Sequence, residues 1–227
     1  MVSAIIVAAG KGLRMNKDVP KQYLSLGDRP ILGHTLLVFD TCDRIDEVFV
    51  VIPAEDFDFC GKNVIAPLGL QKRIRLVSGG DRRQDSVYNG LKALDQKTDL
   101  VVIHDGVRPF VKSDELEACI DGAVKFGACI LGIPASDTLK RVDGTGLIGE
   151  TLARDNIWLA QTPQVFQYDL ILKAHEAARR DGVSGTDDAF LVERLGIEVR
   201  IITGNKNNIK ITTREDLAVA RAILTAS

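Results

Sequence analysis

Short runs of apolar residues alternate along the chain with segments whose apolar positions recur every three or four residues. The runs predict buried strands at residues 3–8, 48–52, 73–77, 100–103, 128–133 and 199–202. The periodic segments predict helices at residues 30–39, 84–94, 114–126, 168–180, 187–195 and 214–224, with Ser113 and Thr213 as N-caps. Continuous apolar strands that alternate with helices are typical of a parallel sheet covered on both faces. The pattern therefore predicts an α/β fold with one doubly wound, mostly parallel sheet.

Residues 137–161 interrupt this alternation and have the pattern of a β-hairpin. The segment reads TLKRV, then DGTG as a turn, then LIGETLAR. It holds too few large apolar residues to form a second core. We therefore expect a single domain over residues 1–227 with a protruding arm at 137–161. An arm that buries little surface in its own chain can bury it in a second copy, so a homodimer is expected.

Composition and charge exclude several classes of protein. Of the 227 residues, 45% are hydrophobic and 26% are charged, which is ordinary for a globular chain. The net charge of −2 gives no reason to expect a nucleic-acid partner, and no apolar run is long enough to span a membrane. The four cysteines form no C-x-x-C pair, and the opening VSAIIVAAG lacks the basic start of a signal peptide. A cytoplasmic location is the expectation.

The first predicted strand runs into a glycine-containing basic loop. Gly10 and Gly12 would let backbone amides approach phosphate oxygens, and Pro20 could aim Lys21. Residues 9–21 hold four cations and one anion: Lys11, Arg14, Lys17, Lys21 and Asp18. The loop is neither a P-loop, since G-x-x-x-x-G-K-S/T is absent, nor a dinucleotide fingerprint. Phosphate binding and an ordinary turn with solvated lysines both remain open.

A double glycine ends the strand at 73–77 and precedes a helix. Gly80 would again expose backbone amides, and Asp81 and Ser86 could hydrogen-bond a base or a ribose. The same residues also suit a glycine turn with polar side chains that cap the helix. The pattern does not decide between these two interpretations.

Two further strand ends hold charged side chains. Asp105 follows an apolar strand, and Mg²⁺ is usually held by one or two such carboxylates together with phosphate oxygens. Arg108 could pair with a second phosphate. A D-G turn with a neighbouring salt bridge is the alternative. Lys210 lies between two isoleucines, which could direct it towards a site, although a strand with one outward lysine has the same spacing.

Several motif matches have a simpler explanation. GTGLIG at 144–149 matches G-x-G-x-x-G, but it lies in the presumed hairpin with no strand–helix unit around it, so we interpret it as a turn. G-x-S-x-G is absent, which excludes the nucleophile elbow of a hydrolase. His34 and His175 are interpreted as residues of helix faces.

Taken in order, eight segments resemble one family. They are AAGKGLRM, VPKQYLSLGDRPIL, GGDRRQDSVYNGL, HDGVRPF, DTLKRV, LARDNIWLAQTPQVF, GTDDAFLVERLG and NNIKITTREDLA, and together they span about residues 3–222. The chain resembles the 2-C-methyl-D-erythritol 4-phosphate cytidylyltransferases. It departs from the family's usual pattern only at Asn16, Gly106 and Val107, where the family often has Gly, Ala and Ala.

The resemblance implies a fold, a reaction and an assembly. The fold is a Rossmann-like nucleotidyltransferase fold, and the assembly is a homodimer with interlocking hairpin arms. The reaction transfers a cytidylyl group from CTP to 2-C-methyl-D-erythritol 4-phosphate with Mg²⁺, in the non-mevalonate isoprenoid pathway. The products are 4-diphosphocytidyl-2-C-methyl-D-erythritol and pyrophosphate.

The resemblance also implies roles for individual residues. The catalytic cations are Arg14, Lys21, Arg154 and Lys210. The CTP-binding positions are Ala8, Ala9, Gly10, Gly12, Gly80, Asp81, Ser86 and Asp105. The positions that contact the acceptor are Arg108, Thr138, Arg154, Thr162, Thr186 and Lys210. Within these sets, Asp105 is the Mg²⁺ ligand, and Thr138 and Arg154 reach the site from the partner's arm.

The chemistry agrees with this set of residues. The acceptor phosphate is already an anion when it attacks the CTP α-phosphorus in line, so no strong general base is needed. The obstacle is repulsion between two anions, which cations and positioning overcome. Two alternatives remain: a cytidylyltransferase for another polyol phosphate such as ribitol 5-phosphate, and a non-catalytic dinucleotide-binding module built on GTGLIG. Arg154, Thr162 and the segment around Thr186 look closer to the first family than to the ribitol one, and the basic loop argues against the module.

Overall fold

Strands and helices follow one another closely along the chain, and the computed structural model describes residues 1–10 and 19–226. The strands are β1 (Val2–Val7), β2 (Ser25–Leu26), β3 (Arg29–Pro30), β4 (Glu47–Ile52), β5 (Ile74–Ser78), β6 (Leu100–Asp105), β7 (Ala128–Pro134), β8 (Leu139–Val142), β9 (Ile148–Leu152), β10 (Trp158–Gln167) and β11 (Arg200–Thr203). The α-helices are α1 (Ile31–Thr41), α2 (Phe57–Cys60), α3 (Arg83–Ala93), α4 (Ser113–Phe126), α5 (Tyr168–Arg180), α6 (Asp188–Glu193) and α7 (Arg214–Ala226).

A mostly parallel sheet organises these elements, as predicted. In the described part of the chain it contains seven strands in the order β11–β7–β10–β6–β1–β4–β5. β10 is antiparallel to both of its neighbours, β6 and β7, while the other pairings in this sheet are parallel. This antiparallel strand was not predicted, because residues 158–161 were assigned to the hairpin and QTPQ at 161–164 interrupts any apolar run.

Both faces of the sheet are covered by helices, which explains the continuous apolar strands. Ile6 is fully buried and faces Leu36 and Phe39 of α1, in a core that also includes residues of α4. The adjacent Ile5 faces the other side, where Val87 of α3 packs with residues of α5 and α6. None of the helices within residues 1–10 and 19–226 is long and apolar enough to cross a bilayer.

Of the two predicted helix N-caps, one is confirmed and one is wrong. Thr213 caps α7 as predicted: its hydroxyl accepts a hydrogen bond from the Asp216 amide at 3.2 Å, and the Asp216 carboxylate accepts one from the Thr213 amide at 2.9 Å. The prediction for Ser113 is wrong, because Ser113 is already the first residue of α4. There the Glu115 carboxylate accepts a hydrogen bond from the backbone amide of Lys112 at 3.1 Å.

Thr213→Ala is expected to lower the free energy of unfolding by about 1 kcal/mol, because it removes the acceptor for an otherwise unpaired amide at the start of α7. Urea unfolding measures the change. Thr225→Ala is the matched control, since its hydroxyl donates to carbonyls of its own helix, at 3.0 and 3.3 Å. Equal destabilisation by the two substitutions would contradict the capping role.

A two-stranded hairpin projects between β7 and β10. β8 pairs with β9 in antiparallel register, and Asp143 Oδ1 accepts hydrogen bonds from the amides of Thr145 (2.8 Å) and Leu147 (3.1 Å) in the connecting turn. GTGLIG lies in this turn and the start of β9, as interpreted from the sequence. Within the predicted arm at 137–161, residues 158–161 lie in β10 of the central sheet, where Trp158 pairs with Pro134.

Candidate active site

A cleft of about 340 Å³ opens at the carboxyl ends of β1, β5 and β6. Parallel strands end at the same edge of a sheet, so the loops that follow them meet there. Nine of the residues singled out from the sequence line the cleft: Ala8, Ala9, Gly10, Lys21, Gly80, Asp81, Ser86, Asp105 and Lys210. The strand ends therefore bring together the glycine loops, the carboxylate and two lysines.

Gly79 allows the loop after β5 to approach the loop after β1. A Cβ on Gly79 would lie 2.4 Å from Cβ of Ala9, which is too close for any side chain. The Gly80 amide donates to Ser86 Oγ at 3.0 Å, and this hydroxyl donates to the Arg82 carbonyl at 3.1 Å. Ser86 thus orders the glycine turn as well as lining the cleft, so both sequence interpretations of this segment are compatible with the structure.

Asp105 is the centre of a charged cluster in the cleft. Its Oδ1 accepts from Arg83 Nε at 3.1 Å, and its Oδ2 lies 2.9 Å from Lys210 Nζ and 3.5 Å from Arg108 Nε. Burial opposes ionisation of this carboxyl, but the three cations outweigh burial and hold its pKa well below the ordinary value. Asp105 is therefore a carboxylate at any pH near neutral.

The donor set around Asp105 fits Mg²⁺ in one specific way. Among the described residues, no group of three or more His, Cys, Asp or Glu could hold a metal ion. Mg²⁺ does not need one, since it binds through one or two carboxylates when phosphates supply further oxygens. A single ionised carboxylate meets that requirement where phosphate oxygens supply the remaining ligands.

Arg108 contacts Asp105 but does not itself line the cleft. Its side chain is 13% exposed, and Nη1 donates to the Asn208 carbonyl at 2.7 Å. Asn208 in turn donates to the Thr162 carbonyl at 2.8 Å, and the Thr162 hydroxyl accepts from the Asp105 amide at 3.1 Å. Arg108 and Thr162, both predicted to contact the acceptor, here connect β6, β10 and the loop of Lys210. Desolvation lowers the pKa of the neighbouring, fully buried His104 to about 4.

Three further predicted site residues, all described by the structure, do not line the cleft of their own chain. Thr138 and Arg154 are exposed beside the hairpin strands, and Arg154 donates to the Ser136 carbonyl. Thr186 is exposed just before α6. Gly12 and Arg14 lie outside the described residues.

Sequence reasoning missed Arg83, which lines the cleft and binds Asp105. The position of Arg83 at the start of a predicted helix could have indicated that it needs an acidic partner. Arg82 and Arg83 open α3, where the helix dipole favours anions, so cations at this end need acidic partners. Arg82 pairs with Asp85 at 2.9 Å. The interpretation of His175 as a residue of a helix face is also incomplete: it lies on α5, but its ring is fully buried, 3.1 Å from Asp188.

Known protein sequences resemble this chain over its whole length. A family model described as "2-C-methyl-D-erythritol 4-phosphate cytidylyltransferase" matches residues 2–226. A protein of that name from Alkaliphilus oremlandii (strain OhILAs) is 49% identical over 222 residues, which cover 98% of this chain and 94% of the relative. Another from Geotalea uraniireducens (strain Rf4) is 46% identical over 225 residues, covering 98% and 96%.

Solved structures share the fold. The 4-diphosphocytidyl-2C-methyl-D-erythritol synthase of Anaerococcus prevotii DSM 20548 superposes with a TM-score of 0.88 at 36% identity, covering 99% of this chain and 96% of the other. The 2-C-methyl-D-erythritol 4-phosphate cytidylyltransferase of Thermus thermophilus superposes with a TM-score of 0.80 at 32% identity, covering 97% and 98%.

Proposed function

Since the chain belongs to the 2-C-methyl-D-erythritol 4-phosphate cytidylyltransferase family, we propose that its cleft binds CTP against the loops after β1 and β5. The enzyme transfers a cytidylyl group from CTP to 2-C-methyl-D-erythritol 4-phosphate in isoprenoid biosynthesis. The observation behind the assignment of the cleft is that glycine loops, two lysines and an ionised carboxylate meet at one edge of the sheet. The alternative of a dinucleotide-binding module is wrong, because GTGLIG lies in a hairpin.

Different residues of the cleft contact the phosphates and the nucleoside of CTP. Backbone amides of the loop at Ala9 and Gly10 approach the phosphates, since these short residues leave the backbone accessible. Ala8 lines the cleft beside them, with its own amide donated to the Val51 carbonyl at 2.8 Å. Gly80, Asp81 and Ser86 face the nucleoside. Gly12 and Arg14 keep the roles assigned from the sequence, in phosphate binding and in stabilisation of the transition state.

Charge neutralisation drives the transfer itself. Lys21 and Lys210 line the cleft and lower the repulsion between the triphosphate and the incoming phosphate. Lys210, on the loop tied down by Arg108, positions the acceptor phosphate. Asp105 would hold Mg²⁺, which supplies further neutralisation of the phosphate oxygens. The resemblance to the family places Thr162 and Thr186 on the acceptor side, and the Thr162 hydroxyl there accepts from the Asp105 amide at 3.1 Å.

The hairpin arm provides the dimer contact. Val142, Leu147 and Ile148 are 55–70% exposed on it, an unfavourable arrangement for an isolated chain. Thr138 and Arg154 flank the same strands and do not line the cleft of their own chain. We propose that the arm docks on a second copy and that the partner subunit's Thr138 and Arg154 complete the acceptor site. The four free, buried cysteines suit a reducing, cytoplasmic location.

Mixed dimers test the shared site. Lys21→Ala and Arg154→Ala are each expected to lower activity by about 100-fold or more as homodimers. In a mixed dimer, one of the two sites regains both an intact Lys21 and an intact Arg154. Random equimolar mixing should therefore restore about a quarter of wild-type activity. No recovery in purified mixed dimers would show that Arg154 does not act across the interface.

Pyrophosphate release is the direct test of the function. With CTP and Mg²⁺, wild-type protein should release pyrophosphate in the presence of 2-C-methyl-D-erythritol 4-phosphate and not with ribitol 5-phosphate. Release with ribitol 5-phosphate alone would keep the proposed chemistry and contradict the acceptor.

A further inference from the structure

A network of linked polar side chains runs from the cleft into the apolar core between the sheet and helices α3, α5 and α6. Arg83 donates through Nε to Asp105 at 3.1 Å and through Nη1 to Asp188 at 2.7 Å. The other oxygen of Asp188 lies 3.1 Å from Nε2 of His175. The network therefore links His175, Asp188, Arg83 and Asp105, from helix α5 through α6 and α3 to the end of β6.

Asp188 and His175, the inner members of this network, are shielded from water. The Asp188 side chain is 1% exposed and that of His175 is 0% exposed. The amides of Asp188 and Ala189 both donate to Gln164 Oε1 at 3.1 Å, so β10 holds the start of α6 in place. The His175 ring stacks on Tyr88 with centroids 6.4 Å apart. Burial of a carboxylate this deep is costly unless it has a fixed partner, and Arg83 is that partner.

The geometry gives Arg83 one orientation. A guanidinium is a planar fork, and here two of its nitrogens are engaged by two carboxylates on separate elements. Without Asp188, Arg83 would have Asp105 as its one acidic partner in the described structure, and its long side chain could turn towards phosphates in the cleft that it lines. Asp188 also balances a positive charge beside Asp105, where three cations already converge.

We propose that Asp188 and His175 are positioning residues for the transfer reaction: they hold Arg83 so that its guanidinium fixes the orientation of the Asp105 carboxylate in the nucleotide cleft. This inference rests on the proposed function, because it assigns a support to the carboxylate that binds Mg²⁺ and CTP. Residues that orient a ligating group typically change affinity or activity by about 10–100-fold when they are removed.

Equilibrium binding of CTP in the presence of Mg²⁺ is the deciding measurement. Asp188→Asn keeps the shape of the side chain and removes its charge, so calorimetry should give a Kd for CTP raised by about 10–100-fold. The Mg²⁺ concentration for half-maximal activity should rise as well, while the KM for the acceptor stays within about twofold of wild type. His175→Phe keeps the ring stacked on Tyr88, removes the bond to Asp188, and should shift the Kd in the same direction by about 10-fold or less.

A double substitution separates positioning from mere stability. If Asp188 acts through Arg83, then Arg83→Gln/Asp188→Asn should bind CTP no more weakly than Arg83→Gln alone. Asp181→Asn is the matched control, since its carboxylate pairs with Arg194 at 3.3 Å at the far end of α5 and should leave the Kd unchanged. If Asp188→Asn lowers the Tm but leaves the CTP Kd at its wild-type value, the proposal is overturned, and additive effects in the double variant would overturn it too.

If Asp188→Asn does not fold, His175→Phe becomes the deciding variant. An unchanged Kd for CTP in folded His175→Phe protein would then contradict the proposal. Wild-type protein serves as the reference for the underlying function. Absence of pyrophosphate release by wild-type protein would contradict the proposed function, whereas release by wild type with unchanged binding in the variants contradicts the positioning role alone.

Discussion

Lys21→Ala is expected to lower kcat by about 10²–10³-fold, the loss typical of removing one fixed charge or donor that acts on a transition state. The backbone at Lys21 is held in a short turn, in which the Tyr23 amide donates to the Pro20 carbonyl at 3.0 Å and the Leu24 amide donates to the Lys21 carbonyl at 3.2 Å. Gln22 is 1% exposed and Tyr23 is 7% exposed, so they anchor this turn in the core. Because Lys21 is half-buried and its turn is anchored, little conformational entropy is lost when its ammonium group is held in the cleft.

Steady-state kinetics with CTP and the acceptor measures this effect. We expect the KM for CTP to change much less than kcat, because charge neutralisation matters most when the acceptor phosphate and the α-phosphate are in contact. Lys62→Ala is a suitable control, since Lys62 is exposed and pairs with Asp58 at 2.7 Å on the surface. A loss in kcat below about tenfold for Lys21→Ala would remove Lys21 from the list of catalytic residues.

Asp105→Asn is expected to abolish most activity, with a fall in kcat/KM of about 10³-fold or more. The substitution removes the carboxylate that would bind Mg²⁺ and leaves Arg83, Arg108 and Lys210 without their common counter-ion. Breaking a buried ion pair by removing one partner costs about 3–5 kcal/mol, so the free energy of unfolding should fall as well.

Assays well below the Tm of the variant separate the catalytic effect from the loss of stability. Asp121→Asn provides the control, because it removes an exposed carboxylate that pairs with Arg44 at 2.7 Å, away from the cleft. If folded Asp105→Asn protein keeps a wild-type response to Mg²⁺, the metal is held elsewhere and the role of Asp105 is limited to organising the three cations.

Local patterns were sufficient to predict most of the sheet. β1, β4 and β6 are buried on both faces, so each reads as an apolar run without alternation, and the helices between them have a clear helical period. Gly79 after β5 was also informative, because a Cβ at this position would lie 2.4 Å from Cβ of Ala9 in the loop after β1. These features depend on residues that are close together in the sequence, so a single sequence is enough to predict them.

The remaining features depend on residues that are distant in sequence. The direction of β10 follows from the path of the hairpin before it, and QTPQ at 161–164 interrupts its apolar residues, so no apolar run marks this strand. The pairing of Arg83 with Asp188 joins residues 105 positions apart, so no spacing rule connects them. His175 has the spacing of a helix face, and only the position of α6 beside α5 shows that this face is buried against a carboxylate.

The long sequence separations within the charged cluster have a consequence for a chain that is still being synthesised. Asp105 leaves the ribosome soon after Arg83 and just before Arg108, but Asp188 and Lys210 follow only after roughly another hundred residues. Closing such long loops is slow compared with local pairing, even though its entropic cost grows only gently with length. We therefore expect nascent chains to hold no CTP until residue 210 has emerged. A ribosome-stalling series would then show nucleotide binding appearing in a single late step, well after the first strands have become resistant to protease.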